Sequence, residues 1–137
     1  MSDVASELAK EQCLQVTTYK KDGSAVMTVI WPVPYDEGTF AFITPKQSGK
    51  AMRLKRNPRI KMQASDWDGF PLQGTPVVEG TVELVADEEG CKRILGIVLE
   101  KYGDDAWDSA MGRAKAYYES KGGYKGDLGV VVKPDRS

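Results

Sequence analysis

The first part of the chain has the hydrophobic pattern of consecutive β-strands. Residues 13–19 (CLQVTTY) are rich in β-branched and aromatic side chains, and residues 25–33 and 39–44 continue this pattern. The pair Asp22 and Gly23, between the first two segments, is typical of a tight hairpin turn. The pattern therefore predicts three antiparallel strands joined by short turns.

Two short helices are predicted around these strands. The first covers residues 3–12, with Ser2 or Asp3 as its N-cap. The second covers residues 48–56 and ends there because a residue that precedes a proline, here Pro58, avoids the helical region.

The second half of the chain adds three strands and two longer helices. Strands are predicted at 59–66, 77–85 and 128–132, and apolar residues with helical spacing predict helices at 87–102 and about 104–120. Consecutive hairpins are incompatible with a parallel sheet built from crossovers. Six antiparallel strands with helical additions therefore predict a mainly β barrel.

Composition limits the chemistry that the chain can perform. A chain of 137 residues predicts one domain, residues 1–137. It contains no histidine, which excludes histidine-dependent nucleophiles and histidine-bound metals. Cys13 and Cys91 lack metal-ligand spacing, so we expect two reduced cysteines and no metal site. If the protein is an enzyme, a bound cofactor is expected to supply the reactive atoms.

The N-terminal segment and the net charge indicate the cellular location and the class of partner to expect. The N-terminal segment lacks the apolar core of a secretory signal, and no apolar run approaches a membrane span, so a cytoplasmic protein without membrane contact is expected. Trp31, Tyr35 and Trp67 offer stacking faces, but a net charge of -1 without a wide basic surface disfavours nucleic acid as a partner.

Basic charge is concentrated in residues 46–61, which carry seven lysines and arginines and no acid. Residues 79–108, by contrast, carry nine acids and three bases. Ser48, Gly49 and Lys50 stand at the start of the predicted helix, where free amides and the helix dipole favour an anion. The segment predicts a phosphate or polyanion site; a solvated basic surface is the alternative.

Three segments carry a resemblance to a known family: LQVTTYKKDGS, MTVIWPVPYDEGTFAFIT and SGKAMRLKRNPRI. They resemble the pyridoxamine 5'-phosphate oxidase-like proteins, and most closely the branch of probable F420-dependent (deazaflavin-dependent) oxidoreductases. The resemblance implies a six-stranded antiparallel split β-barrel, the FMN-binding split barrel, with peripheral helices. It also implies a homodimer with the cofactor between subunits.

The resemblance further implies which residues contact the cofactor. Ser48, Gly49 and Lys50 would hold its phosphate, while the second strand and Thr44 would run along its ring and side chain. No residue is singled out as catalytic. The complete expected cofactor-binding set is Thr28, Val29, Ile30, Trp31, Pro32, Thr44, Ser48, Gly49, Lys50, Arg53 and Arg56.

The sequence departs from the FMN-dependent oxidases at two positions. These enzymes carry an arginine and a lysine in the second strand, where this chain has Met27 and Pro32. The departure favours coenzyme F420, whose anionic tail suits the surplus of basic residues, with FMN as the alternative. The expected function is hydride transfer between the deazaflavin and an unsaturated organic substrate. An FMN-dependent oxidoreductase and a non-catalytic cofactor or tetrapyrrole-binding protein remain alternatives.

Overall fold

The structure, a computed structural model, describes residues 3–135, which form one antiparallel sheet surrounded by helices. Ser2 lies outside the described residues, and Asp3 is the N-cap of the first helix, where its carboxylate accepts a hydrogen bond from Ser6 N at 2.7 Å. The strands are β1 (Cys13–Tyr19), β2 (Ala25–Ile30), β3 (Val33–Pro34), β4 (Phe40–Pro45), β5 (Arg59–Ser65), β6 (Val78–Val85) and β7 (Asp127–Pro134). The helices are α1 (Val4–Ala9), α2 (Gly49–Arg56), α3 (Glu88–Tyr102) and α4 (Asp104–Glu119).

The strand order explains how the sheet becomes a barrel. The order is β2-β1-β5-β6-β7-β4-β3, and every neighbouring pair is antiparallel. β2 and β3 therefore lie at opposite edges of the sheet, although Trp31 and Pro32 alone separate them in the chain. The sheet must curl until these edges approach each other. This architecture confirms the mainly β split-barrel class.

The sheet has seven strands rather than the six expected, because the predicted strand 25–33 is broken. β2 ends at Ile30, and a two-residue kink leads into β3. Pro32 has no N–H group to donate to a strand ladder. Its carbonyl instead accepts hydrogen bonds from Lys101 and Tyr102 of α3. The expected site strand from Thr28 to Pro32 is consequently strand only as far as Ile30.

Hydrophobic packing divides between the barrel interior and the underside of α3. Phe40 and Phe42 of β4 belong to the interior core, to which α1 contributes its apolar face. Ile94 and Val98 of α3 pack on the outer surface of the sheet. A Cβ atom at Gly129 would lie 2.6 Å from Ile94 Cδ1, so the absent side chain lets α3 approach β7.

The remaining helix, α4, and the two cysteines differ in burial. No residue of α4 is buried, so this helix covers the sheet without becoming part of the core. Cys13 is buried and Cys91 is half-buried, and both are free thiols. Across residues 3–135, none of the helices combines the length and the apolar character needed to cross a membrane.

Candidate cofactor site

A short strand-turn-helix unit forms the floor of the candidate site. Ser48 caps α2: its Oγ accepts a hydrogen bond from Ala51 N at 3.0 Å. The same hydroxyl shares a hydrogen bond of 2.9 Å with Thr44 Oγ1 at the end of β4, and both residues are buried. Because the cap and the strand end are bonded to each other, the first turn of α2 has a fixed position beside the sheet.

Because Gly49 has no side chain, the guanidinium of Arg53 can lie beside the first turn of α2. The backbone of Gly49 is exposed, and a Cβ atom there would lie 2.7 Å from Arg53 Nη1. The guanidinium of Arg53 is held in this place because its Nε donates to Thr18 Oγ1 in β1 at 2.6 Å. One positive charge is therefore fixed beside the free amides of the first helical turn.

Lys50 supplies a second positive charge. Its Nζ donates to Val29 O at 3.3 Å and lies 5.8 Å from the centre of the Phe42 ring. Burial, and then the charge of Arg53, lowers the pKa of Lys50 to about 8; burial also lowers the pKa of Arg53. Within residues 3–135, neither cation forms an ion pair with a carboxylate. Two partly desolvated cations without a carboxylate partner among these residues favour the binding of an anion.

A groove of about 180 Å³ extends from Lys50 between the sheet and α4. Most of its lining residues are apolar, and Lys50 is the charged residue among them. The sheet side consists of Val29, Ile30, Trp31, Ile43, Thr44 and Pro45, and the helix side consists of Trp107, Ala110, Met111 and Ala114.

An aromatic cluster surrounds Trp31 at the groove. The Trp31 ring lies tilted on Tyr102, with centroids 4.8 Å apart and planes at 31°. It meets the edges or faces of Trp67 at 5.6 Å and Trp107 at 5.9 Å in T-shaped contacts. Such contacts fix ring orientation as well as position, so Trp31 is a rigid wall.

Thr28 places an unpaired hydroxyl inside the barrel. It lies in β2 opposite Val16, and its Oγ1 is buried without a hydrogen-bond partner among the described residues. Buried hydroxyls are normally paired, so this one is an exception, but it lies away from the groove. The space at Gly49 and the two cations without a carboxylate partner among residues 3–135 are the features that fit a phosphate-bearing cofactor.

A larger cavity of about 360 Å³ lies elsewhere, between α1 and the β5–β6 region. Its polar lining is Glu7, Glu11 and Thr75, and the rest of its walls are apolar. Carboxylates repel a phosphate, so this cavity is a poorer candidate for the predicted ligand despite its size.

The structure brings most of the expected residues together. The groove is lined by Val29, Ile30, Trp31, Thr44 and Lys50, with Ser48, Gly49 and Arg53 around the first turn of α2.

Three expected residues lie elsewhere. Thr28 does not line the groove; it lies opposite the core residue Val16, with its side chain on the barrel side of β2. Pro32 does not line the groove; its carbonyl faces Lys101 and Tyr102. Arg56 is exposed in the last turn of α2, about 10 Å along the axis from Gly49.

The residues that sequence reasoning missed come from distant parts of the chain. Trp107, Ala110, Met111 and Ala114 follow helical spacing, which predicted the helix but no part of a site. Gln47 was not considered: its Nε2 donates to Gly123 O at 2.7 Å, and its Oε1 accepts from Lys125 N at 2.8 Å. The apolar stripe of α4 was the available signal, but no sequence pattern showed that it faces a groove.

Comparison with known proteins agrees with the fold. The family model described as pyridoxamine 5'-phosphate oxidase matches residues 2–125. A conserved hypothetical protein from Mycobacterium tuberculosis is 24% identical, with a TM-score of 0.69, and the match covers 99% of this chain and 82% of that chain. A solved F420 reductase is 19% identical, with a TM-score of 0.60 and coverage of 98% and 95%.

Two further comparisons were made. The haem storage protein HutZ from Vibrio cholerae is 14% identical, with a TM-score of 0.66 and coverage of 93% of this chain and 84% of that chain. None of the curated proteins matches the chain by sequence. At these identities the structural likeness establishes a shared fold.

Proposed function

Since the chain belongs to the pyridoxamine 5'-phosphate oxidase family, we propose that it is an oxidoreductase that binds a phosphate-bearing, flavin-type cofactor, with coenzyme F420 preferred. The proposed reaction is hydride transfer between the deazaflavin and an unsaturated organic substrate. The observation that carries the proposal is the pair of cations, Lys50 and Arg53, at the start of α2. Neither forms an ion pair with a carboxylate among residues 3–135.

The phosphate of the cofactor would be held by the first turn of α2. Ser48 offers a hydroxyl, and Gly49 allows close approach to the backbone amides. Lys50 and Arg53 provide charge-assisted hydrogen bonds, which are about twice as strong as neutral ones. An anion there also relieves the repulsion between the two cations.

The groove would hold the ring and keep water away from it. The cofactor supplies the hydride chemistry, so the protein needs to orient two ring systems and exclude solvent. The apolar wall of α4 and the rigid ring of Trp31 serve both purposes. This division of roles suits a chain without histidine.

Two features favour F420 over FMN. Met27 is 63% exposed and uncharged, and Pro32 has no side-chain donor, so neither residue offers the cationic contacts expected for FMN. The basic stretch 46–61 includes exposed Lys46 and Lys55, which suit a longer anionic tail.

The groove also supports a homodimer. Its volume of about 180 Å³ is below the ~300–1,000 Å³ typical of pockets that enclose a small ligand. A second copy would complete it, and exposed Met27, Trp67 and Phe70 offer apolar surface for that contact. We place this homodimer in the cytoplasm. Sedimentation velocity at micromolar concentration tests the assembly, and a monomer at all concentrations would contradict it.

The cofactor is tested by parallel fluorescence titrations of the purified protein with oxidised F420, FMN and haemin. We expect saturable, micromolar binding of F420 and weaker binding of the other two. Tighter binding of FMN would move the protein to flavin-dependent chemistry. Haemin binding alone would support a carrier role, which the structural likeness to a haem storage protein makes a specific alternative. Failure to bind any of the three would contradict the proposal.

A further inference from the structure

Lys101, near the end of α3, forms hydrogen bonds with three separate parts of the backbone. Its Nζ donates to Ala9 O at 2.8 Å, Glu11 O at 2.6 Å and Pro32 O at 2.6 Å. An ammonium has three N–H donors, and all three are used. A single side chain therefore joins α3 to the end of α1, the turn before β1 and the kink between β2 and β3.

The next residue strengthens one of these three connections. Tyr102 donates its hydroxyl hydrogen towards Pro32 O, 2.9 Å away, and towards Gln12 O, 2.8 Å away. Pro32 O thus faces two donors from adjacent residues of α3. The Tyr102 ring meanwhile lies against Trp31, with centroids 4.8 Å apart. Both residues of the kink therefore contact α3: Trp31 through its ring and Pro32 through its carbonyl oxygen.

The two contacts bear on the groove because Trp31 is one of its walls. We propose that Lys101 is a positioning residue for the cofactor groove, an inference that rests on the proposed function. By fixing the Pro32 carbonyl, Lys101 sets the orientation of Trp31 against the bound ring. Lys101 does not line the groove, so it acts through the kink.

The groups facing Lys101 support an electrostatic role for it. Burial lowers the pKa of Lys101 to about 8, while the nearby Cys13 and Glu11 oppose that change. It forms no ion pair with a carboxylate among residues 3–135. Three converging carbonyl oxygens replace the water that the ammonium loses. Removing the ammonium would leave these carbonyls without a common partner and release the kink.

Lys101→Met tests the proposal, because methionine keeps the apolar stem and removes all three donors. Val98→Ala is the matched control: it lies one turn earlier in α3, is 1% exposed, and loses core volume while leaving the hydrogen bonds of Lys101 and Tyr102 in place. Tyr102→Phe is the milder second variant, since it removes only the hydroxyl and keeps the ring against Trp31. The near-ultraviolet circular dichroism spectrum of wild type minus that of Trp31→Phe defines the Trp31 signal.

In the ligand-free protein, we expect Lys101→Met to lose most of the Trp31 signal and Tyr102→Phe to lose part of it. Val98→Ala should retain that signal even if its melting temperature falls further. With F420, Lys101→Met should bind about tenfold more weakly because the ring wall is misplaced. Val98→Ala should bind as wild type does.

A wild-type Trp31 signal in Lys101→Met would overturn the inference, as would loss of signal and affinity in all variants in proportion to their stability. If Lys101→Met does not fold, an unchanged signal in Tyr102→Phe overturns it. If the wild-type protein binds neither F420 nor FMN, the proposed function fails, whereas the circular dichroism comparison still decides whether Lys101 positions Trp31.

Discussion

Replacing Lys50 with methionine should have opposite effects on stability and on ligand binding. In the ligand-free protein, burial of the Lys50 ammonium, and then the charge of Arg53, lowers the pKa of Lys50 from 10.5 to about 8, and no carboxylate among residues 3–135 pairs with it. This difference corresponds to roughly 3 kcal/mol at neutral pH, since each pKa unit is 1.36 kcal/mol. The folded pKa lies below the unfolded one, so the penalty is fully present below pH 8 and is relieved as pH rises towards 10.5.

Lys50→Met removes this penalty together with the hydrogen bond to Val29 O. Partial exposure of the side chain and the lost hydrogen bond reduce the expected net gain to about 1–2 kcal/mol of unfolding free energy. For a chain of this length, that gain raises the melting temperature by roughly 5 °C. Thermal unfolding of the ligand-free protein at pH 7 measures it.

The same substitution removes a charge-assisted hydrogen bond to the cofactor phosphate. Such a bond contributes ~1.5–3 kcal/mol, so the dissociation constant for F420 should rise by about 10- to 100-fold. The matched control is Lys55→Met, which removes the same charge from an exposed position of α2. It should change stability by less than ~0.5 kcal/mol. Unchanged affinity in Lys50→Met, or a lower melting temperature, would refute the assignment of Lys50 as the anion-binding residue.

Three further results are expected. Affinity for F420 should be constant below about pH 8 and fall at higher pH as Lys50 loses its proton, whereas Lys50→Met should show no such fall; a flat profile for the wild type would contradict the role of Lys50. Thr28→Val should raise the melting temperature, because it removes a buried hydroxyl that has no partner among residues 3–135 and costs ~1–3 kcal/mol; a lower melting temperature in this variant would contradict the absence of a partner. Gly49→Ala should displace the Arg53 guanidinium and weaken phosphate binding while changing the melting temperature little; titration with inorganic phosphate measures this, and unchanged affinity would contradict the arrangement.

The local features of the candidate anion site could be predicted from the sequence. The strand end, the capping hydroxyl, the glycine and both cations lie between Thr44 and Arg53, whereas the groups that hold the two cations, Thr18 and Val29, come from β1 and β2. Similarly, β1 was predicted with its observed bounds because its alternation and the following hairpin turn are local. The break in the second strand was also present in the sequence, because Pro32 cannot donate a hydrogen bond to a strand ladder.

The parts that were missed depend on long-range packing. The register of β4 against β7 pairs Phe40 with Val132, and nothing near either residue specifies that partner. The apolar stripe of α4 is compatible with burial against any surface, so its position over the groove could not be predicted. Lys101 resembled an ordinary surface lysine in the sequence; its three carbonyl partners lie 69 to 92 residues away.

The position of β7 has a consequence for how the protein is made. β7 lies between β6 and β4 and pairs with both. While the ribosome is still synthesising the segment before Asp127, β4 has no partner on that side, and its phenylalanines lack the valines that later pair with them. Unpaired apolar edges promote association between chains. Completion of the barrel therefore waits for almost the whole described chain to emerge, and chaperone protection matters most during that interval.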